Sequence, residues 1–260
     1  MLTEEECRRC AEELLRAARE RVPIAPPSRT YRELEVADAY RIQDFLAREH
    51  VAQGARAVGY KIGFTSHVLR KAAGALEPAY GRIFGEALHP DGAQLQAQRF
   101  LKPRVELELA FVMGADLEGP EAHLYDVMRA TELVLPALEI IDSRTELPRT
   151  VCDTIADNTA FAAMVVGGRT VRPTEVDVRW VGATLGRNGV IEDSGVSAVV
   201  MGHPAAGIAW LVNQLHALGG RLRQGDIVLS GTFIRPLEVQ AGDVIHADYG
   251  PLGGLSVAFV

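Results

Sequence analysis

The segment Pro103-Arg104-Val105-Glu106-Leu107-Glu108-Leu109-Ala110-Phe111-Val112 constrains this chain more than any other. Val105, Leu107 and Leu109 alternate with Glu106 and Glu108, which is the period of a strand, so both carboxylates leave by the same face. The rest of the segment is apolar and favours burial. Two like charges side by side in such a setting repel unless a cation sits between them. A divalent metal is the simplest such cation, and carboxylate-only ligation favours a hard ion, Mg2+ or Mn2+, over zinc.

A third ligand is expected elsewhere in the chain. Glu139 lies in the middle of Leu135-Pro136-Ala137-Leu138-Glu139-Ile140-Ile141-Asp142-Ser143-Arg144. An ionised carboxylate in an apolar run is costly unless it is paired or bound to metal. Glu139 therefore either completes a metal site with Glu106 and Glu108 or forms a buried pair with Arg104 or Arg144. Lys61 sits among apolar residues and glycine in Val58-Gly59-Tyr60-Lys61-Ile62-Gly63-Phe64. A desolvated lysine has a lowered pKa and serves as acid, base or holder of a substrate carboxylate. The alternative is a lysine that reaches solvent from a strand edge.

Three further residues are candidate substrate contacts. Asp157 and Asn158 precede an expected strand at Phe161; they either cap a helix end or place polar groups in a pocket. Arg235 follows the apolar stretch 227–231, where it is either a carboxylate clamp or a surface arginine. His203, before Pro204, reads as a local residue at a helix entry. The other histidines show no metal-binding spacing.

Composition narrows the function classes. The 260 residues are 48% hydrophobic, enough for one large domain or a domain with a small appendage. The net charge of −7 leaves no basic surplus to neutralise phosphates, which argues against a nucleic-acid partner. No apolar run reaches the length of a membrane span, so no membrane partner is expected. The acidic start Met1-Leu2-Thr3-Glu4-Glu5-Glu6 is not a signal peptide, and cytoplasmic residence is the expectation. Cys7, Cys10 and Cys152 make no disulfide framework; the CxxC lacks a second pair to complete a zinc site and reads as two half-buried thiols. No GxGxxG follows a strand, and neither GxxxxGK[ST] nor GxSxG occurs. Dinucleotide oxidoreductases, P-loop NTPases and common serine hydrolases lose support accordingly.

Periodicity predicts a helix over 3–20, opened by a Thr3/Glu6 capping box with Leu14, Leu15 and Ala18 inward. Pro23 to Pro27 breaks it. A second helix is expected over 36–53 with Ala37, Tyr40, Ile42, Phe45 and Leu46 inward, then a strand over 58–64 and a short helix over 67–75. Beyond residue 79, strands are expected around 83–88, 105–113, 136–142, 161–167, 180–186, 226–231, 243–248 and 255–260. Helices are expected at 121–132, 148–157 and 204–218, the last opened by Pro204 and closed by Gly219-Gly220. The pattern is that of an N-terminal helical region, 1–78, packed on a strand-rich core, 79–260, as one structural unit.

With these residues in hand, the chain resembles the hydratase/decarboxylase branch of the fumarylacetoacetate hydrolase superfamily over nearly its whole length. The motifs that carry the resemblance are Gly59-Tyr60-Lys61-Ile62-Gly63-Phe64-Thr65-Ser66, Pro103 to Glu108, Pro136 to Arg144, Asp157-Asn158, Gly202-His203-Pro204, Gly225-Asp226 and Leu252-Gly253-Gly254-Leu255-Ser256-Val257. Within the branch, Arg187 to Glu192, Ala209-Trp210-Leu211 and Phe233-Ile234-Arg235-Pro236 resemble the hydratases whose substrate carries a second, distal carboxylate, and that resemblance implies Arg235 as its expected partner. The resemblance implies an α/β (α+β) fold with a mixed β-roll or barrel core. It implies Mg2+ or Mn2+ on Glu106, Glu108 and Glu139, with Lys61 catalytic. The implied reaction adds water to a 2-hydroxy-2,4-dienoate in meta-cleavage catabolism of aromatic compounds, with 2-oxohept-4-ene-1,7-dioate as the expected substrate. Decarboxylation of 4-oxalocrotonate on the same chelate, or hydration of 2-keto-4-pentenoate, is the alternative. A homo-oligomer, pentamer or decamer, is implied, and a pathway decarboxylase as a partner. Two departures stand out. Ala79 occupies a position where similar hydratases tend to carry Asp, and the chain is short between Arg144 and Val151, so a loop near the site is expected to differ.

Overall fold

The computed structural model describes residues 1–260 apart from the side chain of Leu69. Three helices come first: α1 (Glu4–Glu20), α2 (Pro27–Thr30) and α3 (Val36–Ala52). The Thr3 hydroxyl accepts the Glu6 N–H at 3.2 Å while the Glu6 carboxylate accepts the Thr3 N–H at 2.7 Å, which is the expected capping box. α1 buries Cys7, Cys10, Ala11, Leu14 and Ala17, a stripe at helical spacing that leaves the expected Ala18 outside and sinks both thiols fully. α3 likewise turns Ala37 to solvent and buries Asp38 and Gln43 with Ile42 and Leu46. Those polar groups are satisfied. Asp38 accepts the Leu2 N–H at 2.9 Å, and Gln43 donates to the carbonyls of Tyr80 and Ile155, both at 2.9 Å. Gln43 thereby ties the helical region to the core beside the site.

The core follows as β1 (Ala57–Gly63), α4 (His67–Ala73), β2 (Ala79–Phe84), β3 (Leu88–Pro90), β4 (Ala93–Leu95), β5 (Arg104–Met113), α5 (Leu124–Ala130), β6 (Thr131–Ile141), α6 (Val151–Ala156) and β7 (Phe161–Val166). The remainder is β8 (Gly182–Arg187), β9 (Val190–Val196), α7 (Pro204–Ala217), β10 (Ile227–Leu229), β11 (Leu237–Glu238), β12 (Val244–Asp248) and β13 (Gly254–Phe259). Sequence periodicity finds most of these elements and misses the short β4 and β11, the hairpin partner β9 and the single turn α2; the strand expected over 83–88 instead spans the end of β2, a 3-10 turn at Gly85–Ala87 and the first residue of β3.

Two mixed sheets form the core. The larger runs β2-β1-β10-β5-β6-β7-β3, with β11 added to β5; the smaller runs β4-β13-β12-β8-β9. β1 pairs parallel with β10, and β5 pairs antiparallel with β6 along ten register positions. The larger sheet curls until β2 packs against β7, but no hydrogen-bonded pairing joins those two strands. The core is a roll and not a closed barrel. α1 packs on α3 and α3 on α6, so the helical region lies against one end of this roll. β1 is a full member of the large sheet and carries Lys61 into the roll. Gly59 allows it to do so: with φ at +154°, its missing Cβ would lie 1.8 Å from the Ile227 carbonyl oxygen of β10.

Candidate metal centre

The site is built on the β5–β6 pair. Their register sets Glu106 directly opposite Glu139, and Glu108 follows two residues along on the same face as Glu106. Ligand oxygens of the three lie within 4.8 Å of one another. All are buried: Glu106 is 7% exposed, Glu108 1% and Glu139 0%. Curling of the sheet brings β1 across the roll, so that Lys61 Nζ stands 2.7 Å from Glu139 Oε1 and donates to the Thr159 carbonyl at 3.2 Å.

The surrounding structure fixes each carboxylate. Gly231 donates its N–H to Glu108 Oε2 at 2.8 Å. The Tyr249 hydroxyl accepts the Glu108 N–H at 3.2 Å and lies 2.7 Å from the Ala137 carbonyl, pinning β5 to β6 at the site. The turn after α6 is the most constrained backbone here. Asn158, Thr159 and Ala160 take φ values of 51°, 51° and 60°, three consecutive left-handed non-glycine residues. Their ties explain how the strain persists. Asn158 accepts the Arg82 N–H at 2.7 Å and donates to the Arg82 carbonyl at 2.9 Å, and the Thr159 hydroxyl donates to the Tyr80 carbonyl at 2.6 Å.

The electrostatics are those of an anionic cluster short of cation. Burial, then the facing Glu139 charge, pushes Glu106 up to about 7. Burial, then Glu139 and Glu106, holds Glu108 well above the carboxylate range. For Lys61, burial acts to lower the pKa, but Glu139, Glu106 and Glu108 together outweigh it and the ammonium is held above its ordinary value. The lowered lysine pKa expected from the sequence is thus reversed, because three carboxylates from other strands surround it. Glu108 Oε1 and Glu139 Oε2 are buried and accept no hydrogen bond among the described residues. Buried anionic oxygens rarely go without a partner. An all-oxygen donor set with two orphaned acceptors fits a hard divalent cation and fits little else.

A cavity of about 380 Å3 opens beside the cluster, within the range of small-molecule sites. Its wall includes Lys61, Phe64, Arg104, Glu106, Arg149 and Thr232. Of the expected site residues, the structure brings Lys61, Glu106, Glu108 and Glu139 together. It does not bring Asp157, Asn158 or Arg235 to the cavity wall. Asp157 is buried against Arg144, whose side chain and backbone N–H approach it at 2.5 and 2.7 Å. Asn158 spends its amide on Arg82. Arg235 points to solvent with 87% of its side chain exposed, its nearest acid Asp193 at 3.8 Å. His203 caps α7 by accepting the Ala205 N–H at 3.1 Å, as expected of a local residue. Conversely, Arg104 and Arg149 line the cavity and were not expected there. Arg104 carried a legible signal, since it shares the alternation of Glu106 and Glu108. Arg149 did not, because its placement depends on the short loop before α6.

Fold and site together define a β-roll with a buried carboxylate cluster beside a small-molecule cavity. The chain belongs to the fumarylacetoacetate hydrolase family, whose C-terminal model, "Fumarylacetoacetate (FAA) hydrolase C-terminal", matches residues 50–260. It is 43% identical to the 2-oxo-hept-4-ene-1,7-dioate hydratase of Escherichia coli over 257 residues, 96% of each chain. It is 31% identical to the 4-oxalocrotonate decarboxylase of Pseudomonas sp. (strain CF600), covering 100% of this chain and 98% of that one. Among solved structures, the 4-oxalocrotonate decarboxylase of Pseudomonas putida G7 complexed with magnesium and adipate superposes with a TM-score of 0.98 at 32% identity, covering 100% of this chain and 99% of that one.

Proposed function

We propose that this protein is a divalent-metal-dependent hydratase that converts a 2-hydroxy-2,4-dienoate into the corresponding 4-hydroxy-2-oxo acid in meta-cleavage catabolism of aromatic compounds. The observation that carries the reading is the buried Glu106–Glu108–Glu139 cluster with two orphaned oxygens and Lys61 at its edge. The 43% identity to a hydratase of a seven-carbon dioate supports 2-oxohept-4-ene-1,7-dioate chemistry as the particular reaction. Mg2+ or Mn2+ is the proposed cofactor, held by Glu106, Glu108 and Glu139. When bound, such a cation supplies Lewis-acid stabilisation of the negative charge that gathers on the oxygens of a 2-oxo acid.

The chain's own groups do the rest. Glu106 presents its carboxylate at the cavity floor, while Glu108 is oriented by Gly231 and Glu139 by Lys61. Lys61 Nζ, 3% exposed as a residue and held charged by its neighbours, keeps a proton at the reacting end of the cavity. Over the whole reaction, hydroxide adds at C4, protons are added at C3 and C5, and the enol proton leaves the C2 oxygen, which sums to one water. Phe64 and Ile141 on the wall limit stray water. No helix is long and apolar enough to cross a membrane. The three free cysteines fit a reducing compartment, and we place the protein in the cytoplasm as a homo-oligomer, with a pathway decarboxylase as a candidate partner.

Decarboxylation of 4-oxalocrotonate is the second reading, and one residue favours it. Ala79, fully buried in β2 opposite Gly63, offers no proton where an acid would stand close to Lys61's strand. The test is an assay of the purified protein with Mg2+ on 2-hydroxyhepta-2,4-diene-1,7-dioate and on 4-oxalocrotonate, following dienol absorbance and released CO2 together. Absorbance loss without CO2 on the dienoate supports hydration. CO2 from oxalocrotonate, with the dienoate untouched, replaces the hydratase reading by the second.

A further inference from the structure

Two guanidinium groups line the cavity without a partner. Neither Arg104 nor Arg149 takes part in an ion pair within 4.0 Å or in a hydrogen bond among the described residues, although the chain carries 34 acidic residues against 27 lysines and arginines. Arg104 Nε is itself buried and unsatisfied. Burial, then the Arg104 charge, pulls the Arg149 pKa down, with Asp157 and Asp153 acting the other way, so the pair is a concentration of positive charge without an ion-pair partner of its own. Arginines are the residues that grip carboxylates by two parallel hydrogen bonds.

Their position has a scale. Arg104 lies two residues from Glu106 on the same face of β5, which is roughly 6.6 Å along the strand. Arg104 and Arg149 line the same cavity as Lys61 and Glu106, so a 2-oxo acid anchored at the glutamate cluster and extending along that cavity carries its remote end toward the two arginines. A carboxylate at the far end of a substrate is the hydrogen-bonding anion that these two guanidinium groups lack within the protein.

We infer that Arg104 and Arg149 form the subsite that reads the remote carboxylate of a dicarboxylic substrate, and so set the selectivity of the site for dioates over monoacids. This rests on the proposed reading of the cavity as a 2-oxo acid site and assigns to these two arginines the role that the sequence suggested for Arg235.

Calorimetry in the presence of Mg2+ tests it with two unreactive probes, 2-oxoheptanedioate and 2-oxoheptanoate, which differ only in the far carboxylate. The wild-type protein should prefer the diacid by about 10- to 100-fold. Arg149→Gln and Arg104→Gln should each erase most of that preference by weakening the diacid alone, Arg149→Lys should keep part of it, and Arg235→Gln should keep all of it. Unchanged binding of 2-oxoheptanoate shows that a variant is folded and its floor intact. Equal binding of both probes by the wild type, equal loss of both in either glutamine variant, or loss of the preference in Arg235→Gln would overturn the assignment. Because the probes do not react, the outcome stands whichever of hydration or decarboxylation is the chemistry.

Discussion

Glu106 and Glu139 are direct cross-strand partners in the β5–β6 register, both buried, with no arginine between them. Like charges so placed destabilise a sheet, and here Glu108 adds a third carboxylate within 4.8 Å. A chain keeps such an arrangement when the carboxylates have a cation to share.

Glu106→Gln removes one proposed ligand and one of the facing charges while keeping the side chain's shape. Isothermal titration with Mn2+ should show metal affinity falling by at least about 10-fold, in line with loss of a ligand or its close support, and turnover should vanish. The melting temperature of the metal-free protein should not fall, because the substitution relieves repulsion. Retained turnover would remove Glu106 from the site.

Metal binding should depend on pH with a definite sign. Glu106 is pushed up from an ordinary 4.5 to about 7 and Glu108 is also raised well above its ordinary value, so the metal-free cluster holds protons more tightly than free carboxylates do. The cation must displace them, and affinity should rise as pH climbs through about 7. Linkage fixes the companion effect. The folded state binds more protons than the unfolded chain between pH 4.5 and about 7, so this group's stabilisation of the metal-free protein is present at the acid end and is lost as pH rises through the folded value. Added Mg2+ should reverse that loss. Melting curves with and without Mg2+ across this window check both signs.

Lys61→Met leaves Glu139 without its partner at 2.7 Å. Breaking a buried ion pair from one side costs about 3–5 kcal/mol. Denaturant melts should show a loss of this order in the metal-free protein, less when metal is bound, and turnover should drop by about 100-fold or more with the proton donor gone. A variant with wild-type turnover would take Lys61 out of the chemistry.

Gly231→Ala tests the support of Glu108. At φ +117° an added Cβ would lie 2.2 Å from the Thr65 hydroxyl oxygen, so the backbone must shift and its N–H must leave Glu108 Oε2. Stability should fall by about 1–3 kcal/mol, and Mn2+ affinity should weaken although no ligand has changed.

Much of this centre is legible in the sequence because alternation is a direct record of sheet faces. Glu106 and Glu108 break an apolar strand on one face, and Glu139 breaks another run. Neither observation requires knowing the fold. Lys61 is legible as a cation in an apolar strand, but the sign of its pKa shift is not, since the three carboxylates that set it come from β5 and β6. The left-handed turn at 158–160 hides for a related reason: Thr159 and Ala160 have no preference for that conformation, which is imposed by Tyr80, Arg82 and Lys61. Asp157 and Asn158 show polar groups at the right place in the chain and conceal that their bonding is spent on Arg144 and Arg82. β9 escapes periodicity because Val190-Ile191-Glu192-Asp193-Ser194-Gly195-Val196 does not alternate; it is a strand because β8 pairs with it.

The most direct measurement is anomalous diffraction from crystals grown with millimolar Mn2+. A single strong peak enclosed by the carboxylates of Glu106, Glu108 and Glu139, with coordination left open toward the cavity, is the expected result. No peak there, with Lys61 or an arginine closing the space between the three carboxylates, would contradict the account.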